Sequence, residues 1–427
     1  MKIRHFFLLL AGICLITACK PVAQKEKVKP QQFELAASPE SVGFSAERLA
    51  RIDSLLQGYV DKGLIPQGVT FIARHGKIVH NKAFGWKDME NKIPASTDDI
   101  FRNASQSKGI TSVTLMTLYE EGKFLLDDPL AMYLPAFKNM QVIESLDEKT
   151  GVVKTRPAKG EITIRQLLSH TSGIHYGNKL YDMAGIPTLH SKDKITIAEV
   201  VDKIAAQPLA HDPGAAFTYG MNTDVVGRLI EVLSGKPLDV AMKERVLDPL
   251  GIKDTRFYIP ESEASRLVKV YGKPAMDSSL RLLDNDLFQT YALSGAKTYF
   301  SGGAGLTGTI EDYAKFCQML LNRGEFNGHR ILSRKTIDIM TMNQIGDFEV
   351  WSSHEKFGLG FSIFTQEANR HILGSVGSFK WGGMYATEYC IDPKEDLIFL
   401  YYTNIFPNNG PNTYGKFRVL LYQALND

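Results

Sequence analysis

Residues 101–122 read FRNASQSKGITSVTLMTLYEEG, at the point where a strand-rich start gives way to a helical middle. Ser105 stands three places before Lys108, at the head of a run in which Ile110, Val113, Met116 and Leu118 recur at helical spacing. Residues three apart on a helix share a face, so these two side chains meet if the helix begins here. The same Ser-x-x-Lys spacing recurs at Ser191/Lys194, Ser294/Lys297 and Ser353/Lys356. Those pairs lie in a charged loop or lead into strand-like or Gly-rich runs, where residues three apart face opposite sides. Of the four, Ser105/Lys108 alone opens a long helix. The free N–H groups of a helix start can hold an oxyanion, and its positive end disfavours an ammonium on Lys108. The placement predicts a serine nucleophile activated by a lysine base.

Working outward, residues 45–63 carry Leu49, Ile52, Leu55, Leu56, Tyr59 and Val60 at helical spacing, with Ser45 placed to cap. GVTFIARHGKIVHNKAFGW (68–86) reads as two strands turning at HGK. Residues 123–290 read mostly as helix and loop. Near the end, FGLGFSIF (357–364), HILGSV (371–376), MYATEYCI (384–391) and LIFLYYT (397–403) look like four strands, and YGKFRVLLYQALN (414–426) like an amphipathic helix. Strands and helices do not alternate as in a doubly wound fold. The expectation is an α+β chain: an antiparallel sheet completed from both chain ends, flanked by helices, with an all-helical domain inserted at roughly 123–290. Ser105 then lies at the junction of the two regions, a natural place for a cleft.

Composition narrows the chemistry. The 427 residues are 44% hydrophobic and 22% charged with a formal net charge of +2, so charge gives no reason to expect a nucleic-acid partner. There is no His-Glu-x-x-His, Cys-x-x-Cys or carboxylate–His cluster at metal spacing, and no metal is expected. No Gly-x-Gly-x-x-Gly or Walker-type loop appears, so no cofactor is expected either. The absence of Gly-x-Ser-x-Gly argues against an α/β-hydrolase. His170 and His175 in LLSHTSGIHYG read as turn-stabilising residues rather than a base or a ligand.

The N-terminus carries its own message. Lys2 and Arg4 precede FFLLLAGICLI, an apolar run too short to span a bilayer comfortably, which ends in ITAC. This resembles a bacterial lipobox, with residues 1–18 as signal peptide and Cys19 as the lipidated mature N-terminus. Residues 19–38 read as a flexible tether and 39–427 as the enzyme body. Lys20 after the Cys favours an outer-membrane lipoprotein, facing the periplasm or the cell surface. Cys317 and Cys390 either pair in an oxidising compartment or remain buried free thiols.

Five motifs then occur in order: SQSK (105–108), LLSHTSGI (167–174), FTYGMNTDVVGRLIE (217–231), SGGAGLTGTIEDYAKFCQMLL (301–321) and GSFKWGGMYATEYCIDP (377–393). With them, the chain from about Pro39 onward resembles the serine β-lactamase and penicillin-binding-protein superfamily. The branch is that of class C β-lactamases, D-alanyl-D-alanine carboxypeptidases and family VIII esterases. The resemblance implies an antiparallel sheet flanked by helices, an all-helical domain, and an active site between them. It implies Ser105 as the acylated nucleophile, Lys108 as its base partner and Tyr219 in the place of the catalytic tyrosine. Trp381 of the WGG stretch stands where the lactamases carry Lys or His. Gly382 and Gly383 would let an edge strand approach the substrate, and Met384 would supply an oxyanion N–H beside that of Ser105.

Two departures bear on the substrate. Met221 sits two places after Tyr219, so Asn222, the candidate for amide binding, falls one place late. Trp381 cannot hold a carboxylate, and alternation is expected to turn Lys380 to the other face. A small-molecule ester of a neutral small or medium acid suits such a site best, which makes a carboxylesterase the leading expectation. A β-lactamase or D-alanyl-D-alanine carboxypeptidase acting on an amide, an acyltransferase, and a non-catalytic sensor remain as alternatives.

Overall fold

A computed structural model of the chain describes residues 31–187, 189–275 and 279–427. The signal segment and Cys19 lie outside the described residues.

The strands β1 (Glu34–Leu35), β2 (Gln67–Arg74), β3 (Lys77–Asp88), β4 (Lys356–Phe357), β5 (Ser362–Ile363), β6 (Phe379–Gly383), β7 (Thr387–Asp392) and β8 (Leu397–Tyr402) form one sheet in the order β1-β3-β2-β8-β7-β6-β5-β4, with the short strand Ile93–Pro94 added beside β3. Neighbours are antiparallel except β1, which runs parallel to β3. The N-terminal hairpin meets the C-terminal strands where β2 pairs with β8, from Val69↔Tyr402 to Arg74↔Leu397.

The twofold alternation of strand side chains assigns the two faces. Phe71, Tyr389, Leu400 and Tyr402 pack toward α2 (Ser107–Glu120) and α5 (Ile310–Leu321). Ile72, Cys390, Phe399 and Tyr401 pack toward α1 (Arg51–Asp61) and α6 (Thr413–Tyr422). With helices on both faces, the central strands β2 and β8 are buried throughout. Ser45 caps the short helix Ala46–Leu49 ahead of α1 through a bond from the Arg48 N–H.

The inserted region carries α4 (Asn222–Ser234) against α2, with α3 (Ile197–Ala205) packed on α4. It also holds a hairpin of Gln141–Leu146 with Val153–Pro157, which the expectation of helix alone does not contain. Helix α2 is enclosed between this region and the sheet: Ser107 to Met116 are all buried. A helix buried on every side needs apolar or internally bonded residues all round.

Four segments differ from the sequence expectation, the first being FGLGFSIF (357–364), which is not one strand but spans the antiparallel pair β4 and β5. Residues 371–376 are loop, with Ile372, Leu373 and Val376 exposed. The strand beside β7 is instead Phe379–Gly383, whose Lys-Trp-Gly-Gly composition lacks apolar alternation. The end of the expected tether is seated on the sheet, with β1 paired to β3 and the Phe33 ring 5.0 Å from that of Phe71. Cys317 and Cys390 are buried free thiols.

Candidate active site

Ser105 lies in a single 3-10 turn, Ala104–Gln106, that feeds α2. Ala104 holds φ at 45°, a left-handed conformation uncommon for a residue with a Cβ, in a fully buried position. Lys108, one turn on, is 1% exposed. Its Nζ lies 3.2 Å from Ser105 Oγ, 2.6 Å from the Tyr176 hydroxyl and 2.8 Å from the Gly303 carbonyl. It also stands 4.8 Å from the centre of the Tyr219 ring and 5.3 Å from that of Tyr176. The structure thus brings the predicted Ser105, Lys108 and Tyr219 together and adds Tyr176 to them.

The loop after Phe300 is fastened to the start of α2. The Ser107 hydroxyl accepts from the Leu306 N–H, and the Thr111 hydroxyl donates to the Gly302 carbonyl. Behind it, Asp224 of α4 accepts from the hydroxyls of Ser301 at 2.7 Å and Tyr299 at 3.1 Å. Burial pushes its carboxyl above the usual range, while those hydrogen bonds and the Lys108 charge pull the other way. Burial also holds the Tyr176 phenol well above its ordinary value, with Tyr219 and Asp224 adding to the effect.

The opposite wall is aromatic. The Trp381 Nε1–H donates to the Tyr219 hydroxyl at 3.1 Å, and the Trp381 ring stacks on Trp351 at 5.4 Å. Trp351 is carried over the cleft by a loop in which it and Ser352 both have positive φ, 50° and 105°. Ser105, Tyr219, Trp381, Gly382, Gly383 and Met384 all border a cleft of about 430 Å³, roofed by Val350, Trp351 and Ile372. A Cβ on Gly383 would stand 2.3 Å from the Asn103 carbonyl oxygen. Only a glycine there lets β6 pass this close to the turn that carries Ser105.

Asn222 is a correction. It is fully buried and does not border the cleft. Its Nδ2 donates to the Ile174 carbonyl at 3.1 Å and to His170 Nδ1 at 3.0 Å, while Oδ1 accepts from the Ser172 hydroxyl. Its late position places it in the first turn of α4, facing the 170–174 turn, where every amide atom is used. His170 is buried in that turn at φ 57°, with its ring 4.8 Å from Tyr219. It steadies the tyrosine segment, as a turn-stabilising residue should. Lys380 does leave the Trp381 face, yet it still borders the cleft, with its Nζ 3.0 Å from Glu355 Oε1.

The sequence profile of the Beta-lactamase family matches residues 52–424. The chain belongs to the Beta-lactamase family. Among relatives in this family, Protein Rv1367c of Mycobacterium tuberculosis is 31% identical over 80% of this chain and 86% of its own length. Esterase EstB of Burkholderia gladioli is 27% identical, covering 86% of this chain and 94% of EstB. The solved structure of EstCE1, described as a hydrolase with promiscuous acyltransferase activity, superposes with a TM-score of 0.74 at 27% identity, over 88% of this chain and 99% of that one. The chain therefore shares with EstCE1 the β-lactamase-like fold, here a large sheet flanked by helices.

Proposed function

We propose that this β-lactamase-family protein is a serine carboxylesterase acting on neutral esters of small or medium acids through an acyl-enzyme on Ser105. The observation that carries the reading is Trp381. The cleft wall offers an indole bonded to Tyr219, and the neighbouring cation, Lys380, is already held by Glu355. A carboxylate desolvated here without a free cationic partner costs several kcal/mol, of order 2–5. An uncharged acyl or alcohol group instead gains contact with Trp381, Trp351 and Ile372.

On this reading each group of the site has a role. Ser105 Oγ attacks the ester carbonyl as its proton passes to the Lys108 amine. The tetrahedral oxyanion is held by the Ser105 and Met384 N–H groups. Tyr219 protonates the leaving alcohol, with Tyr176 and Lys108 restoring its proton. Water then attacks the acyl-enzyme by the reverse relay and frees Ser105. The likeness to EstCE1, a hydrolase with promiscuous acyltransferase activity, favours a second outcome, in which an alcohol replaces water in the last step.

One panel tests the proposal: p-nitrophenyl butyrate, nitrocefin and a D-Ala-D-Ala peptide at one pH, with and without added alcohol. The ester should exceed nitrocefin by about two orders of magnitude in kcat/KM, a gap of about 2.7 kcal/mol. A preference for nitrocefin or the peptide would replace the esterase reading with a β-lactamase or a carboxypeptidase. Ester product formed with the alcohol would add acyl transfer.

A further inference from the structure

Three charged side chains without a part in these steps border the cleft, and two of them, Lys380 and Glu355, pair with each other. Glu388 of β7 sits directly across from Gly382 of β6, on the opposite sheet face from Trp381 and Tyr389. A Cβ built on Gly382 would fall 2.4 Å from Glu388 Oε2 and 2.7 Å from Oε1. The carboxylate thus fills the room that a side chain at 382 would occupy, and it reaches the edge of β6 that borders the Ser105 cleft.

Its surroundings do not satisfy it. Glu355, close by, is paired with Lys380 and also accepts from the Ser362 hydroxyl. Among the described residues, Glu388 accepts no hydrogen bond and joins no ion pair; Lys380, Glu355 and Arg418 act on it through charge alone. Arg418 of α6 lies behind the strand, 1% exposed, with its guanidinium 4.5 Å from the Phe364 ring centre. It does not border the cleft. The charged residues that do are Lys380, Glu355 and Glu388. The first two pair with each other, which leaves Glu388 as the charged side chain of the cleft lining without an ion-pair partner among the described residues.

We propose that Glu388, exposed to the cleft by the missing side chain at Gly382, forms a subsite for a cationic group, an ammonium or guanidinium on the acyl or alcohol part of the substrate, and selects against substrates bearing a carboxylate. The proposal rests on the esterase reading for the reactivity of Ser105 and revises its substrate, from an ester uncharged throughout to one that carries a cationic group. Burial pushes the Glu388 carboxyl up to about 7, the attraction of Lys380 and Arg418 opposing it and Glu355 reinforcing it. Tyr414 of α6 faces the same cluster. The ionised share, and with it the preference for a cation, therefore grows from pH 6 to pH 8.

The test uses three phosphonates that differ only in the leaving group: a choline-like cation, its uncharged carbon isostere and a carboxylate analogue. Their rates of Ser105 phosphonylation are compared in the wild type and in Glu388→Gln. The expected result is a cationic-to-neutral ratio of at least about ten at pH 8, smaller at pH 6, and close to one in Glu388→Gln, with the carboxylate probe slowest on the wild type. A ratio unchanged by the substitution overturns the proposal. So does a fastest rate for the carboxylate probe, which would make Lys380 the anchor. Should Glu388→Gln not fold, the wild-type ratio decides, because a flat profile between pH 6 and 8 sinks the idea. A protein that is phosphonylated with this selectivity but turns over no ester would lose the esterase reading and keep the subsite.

Discussion

At the scale of the residue, Ser105, Lys108, Tyr219 and Tyr176 differ in what they should cost when replaced. Ser105→Ala removes the atom that is acylated and should lose about three or more decades of turnover, with no labelling by a serine-directed phosphonate. Lys108→Arg retains a charge but cannot give up its proton, and should be nearly inactive. Tyr219→Phe breaks both the relay and the bond from Trp381, so kcat should fall strongly while folding is little changed. Tyr176→Phe removes one of three partners of Lys108 and should lower kcat by about tenfold to a hundredfold with KM nearly constant. Equal kcat for Tyr176→Phe and the wild type would reduce Tyr176 to packing. Ser105 and Lys108 were legible in the sequence because helix geometry turns a three-residue spacing into a contact. Tyr176 was not, since the turn at 170–174 must fold back before it approaches Lys108, and nothing in the spacing from 108 to 176 records that fold.

At the scale of the element, the site depends on how closely strand β6 passes the turn before α2. A methyl group on Gly383 meets the Asn103 carbonyl at 2.3 Å, and backbone cannot yield as a side-chain tip does. Gly383→Ala should therefore push the strand off the Ser105 turn. Expected are a loss of about 1–3 kcal/mol in stability and a fall in kcat/KM of more than tenfold, from unfolding curves and ester kinetics on the same samples. Wild-type activity in that variant would mean that β6 does not shape the oxyanion side. The same strand marks where sequence reading ran out. HILGSV carries the apolar residues that suggest a strand, yet Ile372, Leu373 and Val376 are exposed in a loop beside the cleft. FKWGG lacks alternation because its residues serve the cleft and the close approach as well as the core. Strands β2 and β8 were plain because they are buried throughout and so carry near-continuous apolar runs, and the half-exposed β3 was marked by the HGK turn.

At the scale of the whole molecule, the sheet is closed by segments from both ends of the chain, with Glu34–Leu35 paired to β3 at its edge. The lipobox resemblance implies that Cys19→Ala shifts the protein from the membrane fraction to the soluble one, because the tether sequence offers no other apolar anchor, and a variant that still sediments with membranes would overturn the lipobox reading. The two-sided burial also stores a pH dependence. His190 is buried, stacked 3.4 Å from Tyr291 and 3.4 Å from the Tyr385 hydroxyl. Burial, with Arg102 nearby, pushes its imidazole down to about 3, and His170 is likewise driven well below its usual value by burial and Lys108. An unfolded histidine titrates near 6.5. Above that pH both states are neutral and the stability is fully present. As pH falls through 6.5 toward 3, the unfolded chain binds a proton that the folded one refuses, so stability is lost. From pH 7 to pH 5 this amounts to about 2 kcal/mol for a histidine as strongly depressed as His190. Glu388 works the other way, since its raised carboxyl binds a proton in the folded state first and favours folding as pH drops below 7. His190→Phe keeps the stacked ring without the titration. Its denaturation free energy should fall by about 2 kcal/mol less than that of the wild type between pH 7 and 5, whereas Glu388→Gln should steepen the loss. If His190→Phe follows the wild-type curve, the buried imidazole is protonated in the folded protein and the acid sensitivity has another source.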